Sequence, residues 1–546
     1  MARNAHIDCL SSLPALPSCH ASVKSWNLER GTSTLSPEPR SPNPAGAVVP
    51  GTLPPLRERD LPPPIPLRQM IGPSIILAGL ALGSGEFVLW PYITVKSGFV
   101  LLWACLLAVT MQYFLNLEIM RWTLATGESA LTGIIRTSRH WAWIFLFLNI
   151  VPWMIPAWAK GAAELVGWLI ATPAFNADGK AITGLYDTWI GIGGLLLCGA
   201  ILTAGPVVYE TVERVQFYLV VFIIVVVIVL AAWLMAGRPD AVAAQVTSVA
   251  TLGWPQVIPP LDKDLTPMLL LGALAFAGAG GTMNLCQSNY IRDKGYAMGA
   301  HLGRITSPLT GNEEPITEVG YHFPHTAENL RRWRAWFRGA AWEHFFSFFL
   351  TCIVCLVLLT LIAYICFFDA AGERTLDPAK TKDMAFIWAE AGALATRIGP
   401  LARWFFLLMG VAVLFTTEFG VLDAASRVST DIVKVTWLRD NPRWPEGRLY
   451  FTFLWAEIGL ACGLLLLERW KINIGAMGLF QLTSAMNGGV MFLYAAILLY
   501  MNRWRLPPEV RIAPWRMVIL GLTVAFFGAF SVWAGYDAIT RWIVKV

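Results

Sequence analysis

The chain has 546 residues, of which 56% are hydrophobic and 14% charged, with 25 tryptophans and a formal net charge of +5. Soluble cores stop growing at roughly 250 to 300 residues, so this much apolar surface excludes a water-soluble domain and specifies a polytopic membrane protein. The positive charge needs no nucleic-acid partner, because short cytoplasmic loops of such proteins are rich in lysine and arginine.

Residues 1–66 are a different material, rich in proline and serine and ending in Pro62-Pro63-Pro64-Ile65-Pro66. They lack the apolar core of about 7 to 15 residues that a signal peptide needs and read as a disordered cytoplasmic tail. The transmembrane domain is expected over 67–546. Met70 sits directly before the first apolar stretch and leaves a later start open.

Apolar segments of the roughly 17 to 25 residues that cross a bilayer as helices centre near Ala81, Leu107, Val151, Leu196, Ile223, Ala275, Leu356, Val411, Leu460, Phe492 and Phe526. The expectation is an all-α fold of about eleven spans. The first stretch, from about Ile71 to Val95, is interrupted by Gly83-Ser84-Gly85-Glu86. Non-helical backbone at membrane depth survives only where it is buried in protein or lines a hydrated cavity. Glu86 is a charge inside a span, and therefore a functional candidate. It can ligate a cation, carry a proton or cap the helix that restarts there.

Lys160 and Glu164 follow on the third span, spaced i, i+4. They can form an ion pair or a proton relay, or be solvated near the span's outer end. The second interruption is Gly278-Ala279-Gly280-Gly281-Thr282-Met283-Asn284, in the stretch from about Pro267 to Ile291. Its polar residues Thr282, Asn284, Gln287 and Asn289 must each find a partner at that depth. With the carbonyls of Ala279 to Gly281 they compose an oxygen-rich wall. Paired breaks in corresponding places of two halves mark a substrate site.

A cytoplasmic loop is expected over 292–338, and His344 opens the seventh span. Cys352 and Cys355 lie in apolar helix and read as small hydrophobes. The eighth span carries Thr416, Thr417, Glu418, Asp423, Arg427 and Asp431, and the ninth an isolated Glu457. Structural pairing or snorkelling accounts for these charges. Gln481 and Asn487 on the tenth span face the same cavity as the breaks or bond neighbouring helices. No H-E-x-x-H, nucleophile elbow or zinc pattern is present, so neither an enzyme nor a cofactor is indicated.

Arg136 and Arg139, the cluster Arg331 to Arg338, Arg439 to Arg448 and Arg503 to Arg516 fall in alternate loops. This bias puts the N-terminus inside and, with an odd span count, the C-terminus outside, in what is expected to be the cell membrane. The opposite loops are mixed in charge, as in Asp262-Lys263-Asp264 and between Asp369 and Asp383.

Gly72-Pro73, the first break, Phe87, Ser97-Gly98-Phe99-Val100-Leu101-Leu102-Trp103 and Leu124-Ala125-Thr126-Gly127-Glu128 resemble the first two helices of the Nramp (natural resistance-associated macrophage protein) family. Glu164-Leu165-Val166-Gly167, Asn289-Tyr290-Ile291 and the spacing of Gln481 and Asn487 extend the likeness over about residues 70–536. The resemblance implies a LeuT-type fold with two inverted five-helix repeats, about 70–236 and 265–502, and an extra helix about 513–536. It also implies proton-linked import of a divalent metal such as manganese or iron. Where the family carries Asp-Pro-Gly-Asn this chain has Gly83 and Glu86 as the corresponding ends. The family's Met-Pro-His is replaced by Leu285-Cys286-Gln287, or by Met283 with a small shift of register. An acidic residue expected three positions before Glu164 is Gly161.

The expected substrate site is Gly83, Ser84, Gly85, Glu86, Gly281, Thr282, Met283, Asn284, Gln287, Gln481 and Asn487. Glu86, Ser84 and the soft thioether of Met283 are the expected metal ligands. Glu86, Lys160, Glu164, Thr416 and Thr417 are the expected proton or ion path. The expected partners are a divalent metal or small solute as substrate, a coupling proton or sodium ion, and the lipid bilayer. The alternatives are a cation-coupled carrier of a small organic solute, whose anionic group would sit at helix N-termini, and a non-transporting sensor.

Overall fold

The computed structural model describes residues 53–545, apart from 176–184, 255–263, 308–318, 376–382, 440 and 472–474. The chain is an all-α polytopic membrane protein. Among the described residues ten helices are long and apolar enough to cross a membrane. The segment from Pro267 to Lys294 is not one of them, because it folds as two helices of 9 and 14 residues.

The helices that build the centre are α1 (Pro73–Ala81), α2 (Trp90–Ser97), α3 (Leu102–Thr126), α4 (His140–Trp153), α5 (Ala157–Ile170), α6 (Leu185–Ala204), α7 (Val208–Gly237), α8 (Pro267–Ala275), α9 (Gly281–Lys294), α10 (Ala327–Phe367), α11 (Pro400–Thr436), α12 (Glu446–Lys471), α13 (Ala476–Tyr500) and α14 (Pro514–Lys545). Their ends follow local chemistry. Pro73 and Pro267 occupy first-turn positions where the missing N–H costs nothing. Thr266 caps α8 by accepting from the Leu269 N–H at 3.2 Å. Gly127 and Gly295 close α3 and α9 in the left-handed conformation.

The first span and the two halves α8 and α9 lie at the centre: α8 packs on α13, α3 and α14, and α9 on α3, α11, α13 and α1. The window over 73–97 is 94% buried and that of α14 only 22%, so the broken spans sit inside and the last helix faces lipid.

Two expectations need correction. The tail boundary at residue 66 is too late, because residues 53–66 are docked. Arg57–Glu58 (β1) pairs in parallel with Tyr321–His322 (β2). Arg136 Nη1 donates to the Pro54 carbonyl at 2.7 Å, Arg332 to that of Leu61 at 2.7 Å, and Trp336 Nε1 to that of Pro62 at 2.8 Å. A proline-rich strand has free carbonyls to offer, and arginine and tryptophan donors collect them; residues 1–52 lie outside those described. The loop over 292–338 is also too long: α9 continues to Lys294 and α10 begins at Ala327, running to Phe367 with a π-helical turn over Phe345–Phe349. His344 closes the charged part of this helix, Ala327–His344, directly before the apolar Phe345–Phe367, as expected of a residue that opens a span. It lies well inside α10, fully buried.

Candidate functional site

The two interruptions meet. After α1 the backbone turns at Leu82 and Gly83, then restarts as a π-helical turn over Gly85–Leu89 that leads into α2. Between α8 and α9 the chain is non-helical from Phe276 to Gly280. A Cβ added at Gly85 would overlap the carbonyl oxygen of Phe276, so backbone touches backbone at the crossing.

Gln112, from the middle of α3, holds the second break open. Its Nε2 donates to the carbonyls of Ala275 at 2.9 Å and Leu274 at 3.3 Å. Its Oε1 accepts from the Gly280 N–H and from Asn284 Nδ2, each at 3.3 Å. One amide thus satisfies groups on both sides of the gap that no helical bond serves. Trp90 Nε1 adds a bond to the Ala273 carbonyl at 2.8 Å. Thr282 accepts from Trp153 Nε1 at 2.7 Å and donates to Asn149 Oδ1 at 2.7 Å.

A cavity of about 10 Å³ lies at the crossing, lined by Ser84, Gly85, Gly278, Ala279, Met283 and Thr417 together with the aromatic rings of Trp153, Trp158 and Phe276. That is space for about one water-sized sphere. Larger clefts of about 310 and 760 Å³ open near the ends of α5 and α11, away from both breaks. The hydroxyl of Ser84 and the indole N–H of Trp158 are buried at the cavity without a hydrogen-bond partner, and such orphans await a ligand or a water.

The structure therefore gathers Ser84, Gly85, Met283 and Thr417 of the expected set and distributes the rest. Gly83 packs against Thr417 and Gly281 against Asn487. Glu86 is 1% exposed but does not line the cavity; its Oε2 accepts from the Gly83 N–H at 3.4 Å and its Oε1 has no partner. Asn284 turns to Gln112 and to the Tyr494 hydroxyl at 3.1 Å. Gln287 lies 3.1 Å from His344 Nδ1. Asn487 donates to the Thr483 carbonyl at 2.9 Å, and Gln481 is half-buried outside the lining. Thr416 bonds Gln216, whereas Lys160 and Glu164 are buried on α5 without lining the cavity. Among the described residues no group of three or more His, Cys, Asp and Glu is arranged to hold a metal.

Asp423, Arg427 and Asp431 of the eighth span are paired, as expected for structure. Arg427 bonds Asp423 at 2.9 Å and also Asp293; Tyr290 and Tyr450 donate to Asp423 at 3.0 and 2.7 Å. Arg292 reaches Asp431 at 3.2 Å and Glu446 at 3.6 Å, and Asn289 donates to Asp431 at 2.6 Å. Such a network fastens α9 to α11 and α12. Glu418 accepts from the Ala159 N–H at 3.1 Å.

Sequence reasoning missed Gln112, Asn149, Trp153, Trp158, Phe276 and His344. Gln112 and Asn149 carried a usable signal, amides inside apolar spans, the first one turn before Asn116 and the second alone in its helix. The aromatic residues carried none, standing out in no way among 25 tryptophans and 29 phenylalanines.

By sequence the chain matches no protein-family profile and no curated protein. By structure it resembles the Eremococcus coleocola manganese transporter. A histidine-to-alanine mutant of that protein superposes with TM-score 0.56 at 12% identity, over 87% of this chain and 88% of the other. A glutamate-to-glutamine mutant gives 0.57 at 12% identity over the same shares. Its complex with an aromatic bis-isothiourea compound gives 0.56 at 12% identity over 85% of each chain. The likeness, nearly full-length, establishes the fold.

Proposed function

We propose that this chain is a secondary transporter, Nramp-like, that imports a divalent transition-metal ion of the manganese or iron type with proton coupling. The observation that carries the reading is the size and place of the cavity: about 10 Å³ at the crossing of two broken helices, room for a single ion. The Ser84 hydroxyl, the Met283 thioether and backbone carbonyls beside Gly278 and Ala279 compose its donor set. Thioether sulfur favours transition metals over calcium and magnesium. The solved structures it resembles are those of a manganese transporter, which agrees with that cargo. Glu86, which does not line the cavity, is assigned the coupling proton rather than the metal. In this reading the broken segment α8–α9 is an eleventh crossing, the breaks relate two inverted five-helix repeats, the N-terminus lies in the cytoplasm and the C-terminus outside.

Uptake of manganese, iron, calcium and magnesium into proteoliposomes, with an imposed pH gradient, tests the proposal. Saturable manganese or iron uptake that acidifies the lumen supports it. The aromatic walls of Trp153, Trp158 and Phe276 favour one competing reading, a small organic solute carried when the cavity is wider. Flux of an organic solute without metal flux would establish that alternative, and flux of neither would leave a sensor.

A further inference from the structure

Away from the cavity, at the start of α1, a second polar cluster is buried in the helix bundle. Glu343 of α10 reaches to the N-terminus of α1: its Oε1 accepts from the Ser74 N–H at 3.2 Å and the Gly72 N–H at 3.4 Å, and its Oε2 bonds the Ser74 hydroxyl. The same hydroxyl lies 2.9 Å from His344 Nδ1. The His344 ring is sandwiched between Tyr113 of α3 and Phe348, at 5.5 and 4.7 Å between centroids. Its Nε2 is buried with no partner, as is Gln287 Oε1. Among the described residues no lysine or arginine pairs with Glu343.

The other titratable groups nearby are engaged or neutral. On α7, Glu213 beside Gly72 is held by Lys294 at 2.7 Å, and Tyr209 abuts Gly72. The Tyr296 hydroxyl bonds the Met70 carbonyl. Tyr113 contributes its ring face, and Gln287 of α9 its amide, 3.1 Å from His344 Nδ1 through Nε2; while Nδ1 carries a hydrogen that amide is turned to present its oxygen.

Three donors converge on the Glu343 carboxylate, an arrangement suited to its charged form. A lone buried charge is costly, and His344 stands one hydroxyl away with a free ring nitrogen. We propose that Glu343, Ser74 and His344 form a one-proton site that links protonation to the position of α1. A proton taken up at His344 Nε2 gives an imidazolium. The Nδ1 hydrogen then passes to the Ser74 oxygen as the Ser74 hydrogen passes to Glu343, leaving a neutral imidazole and a carboxylic acid. The carboxylate grips the two N–H groups and the positive end of α1; the acid grips them weakly. Because α1 is nine residues long, about 13 Å at the helical rise, loosening its start is felt at Ser84. This site deepens the proposed function, since it supplies a proton acceptor joined mechanically to the cavity, and to that extent rests on it.

The test is hydrogen–deuterium exchange of residues 72–82 in the purified full-length protein, between about pH 5.5 and 8 where imidazole titrates, corrected for intrinsic rates. Wild type is expected to exchange about tenfold faster at the acid end through local opening. Glu343→Gln is expected to exchange fast at both ends. His344→Gln is expected to need about one pH unit more acid for the same response, and it serves if Glu343→Gln misfolds. A wild-type profile without a pH response, or one shared by both variants, overturns the site. Metal flux is measured on the same preparations. Absent flux with the pH response intact would reject the proposed function and keep this site; intact flux with no pH response would do the reverse.

Discussion

The carbonyl oxygen of Phe276 lies directly against the Cα of Gly85, leaving no volume for a side chain. The atom in the way is backbone, held by the bonds that Gln112 makes to Leu274 and Ala275, so it cannot swing aside as a flexible side chain would. Gly85→Ala should therefore prevent the two breaks from meeting. The expected result is loss of transport and a fall in melting temperature. Gly489→Ala is the control, since nothing lies within 4 Å of a Cβ there, and in a helix alanine should be neutral or stabilising by about 0.5 to 1 kcal/mol. Equal behaviour of the two variants would contradict the crossing.

Gln112→Leu removes an amide that serves both sides of the second break. Leaving buried carbonyls and an N–H unpaired costs about 1 to 3 kcal/mol per group. We expect a lower melting temperature in detergent and faster deuterium exchange at residues 276–280. Unchanged exchange would mean that the break holds itself.

Met283→Leu and Glu86→Gln separate ligand from proton carrier. Met283→Leu keeps the volume and loses the sulfur, so manganese affinity should fall about tenfold relative to calcium, the factor given by about 1.4 kcal/mol. Glu86→Gln should leave manganese affinity within about threefold, since losing a charged ligand costs more than that, while flattening the pH dependence of uptake. Isothermal binding and pH-resolved flux read the two apart; a large affinity loss in Glu86→Gln would return it to the metal.

Truncations locate the true edge of the folded domain. A chain starting after residue 52 keeps every bond described for the docked strand and should melt like the full-length protein. One starting after residue 66 loses the β1–β2 pairing and the carbonyls that receive Arg136, Arg332 and Trp336. It should melt several degrees lower, as about 1 kcal/mol per lost bond implies. Identical melting of the two would show that the strand only rests on the surface.

Glu390, on the helix Ala385–Arg397 that lies outside the ten spanning helices, is 1% exposed, and burial raises its carboxyl well above the usual range. The folded state then binds a proton that the unfolded state has released once the pH exceeds the ordinary carboxyl value. Stability falls as pH rises through that window. Glu390→Gln should gain thermal stability over wild type at alkaline pH and lose that advantage near pH 4, about the ordinary value. A constant difference across pH would count against this.

Both breaks and the apolar spans were readable in the sequence because glycine runs and hydropathy are local properties. The partners of the breaks were not. Gln112 is 163 positions from the Ala275 carbonyl it serves, and His344 is 270 from Ser74; only the packing of distant helices brings them together. Gln287 and Asn284 were placed in the cavity as amides gathered beside the second glycine break. Asn284, one position from Met283, points about 100° around the helix from it, whereas Gln287, one turn on, shares its face but lies about 6 Å further along the axis, where His344 rather than the cavity meets it. The docked strand was obscured by its composition, since proline-rich segments form few bonds among themselves and their carbonyls still accept from others.

The two-residue ribbon of Arg57–Glu58 and Tyr321–His322 ties the chain entering α1 to the chain that leaves α9. Tyr296 on Met70 and Lys294 on Glu213 lace the same edge. Under the proposed function, a cargo that left by this end would first have to unlace it, an event of the local-unfolding kind that takes microseconds to seconds. The pace of each cycle would then be set by a knot far from the ion, and a partner that tightened or cut that knot would throttle the protein without touching what it carries.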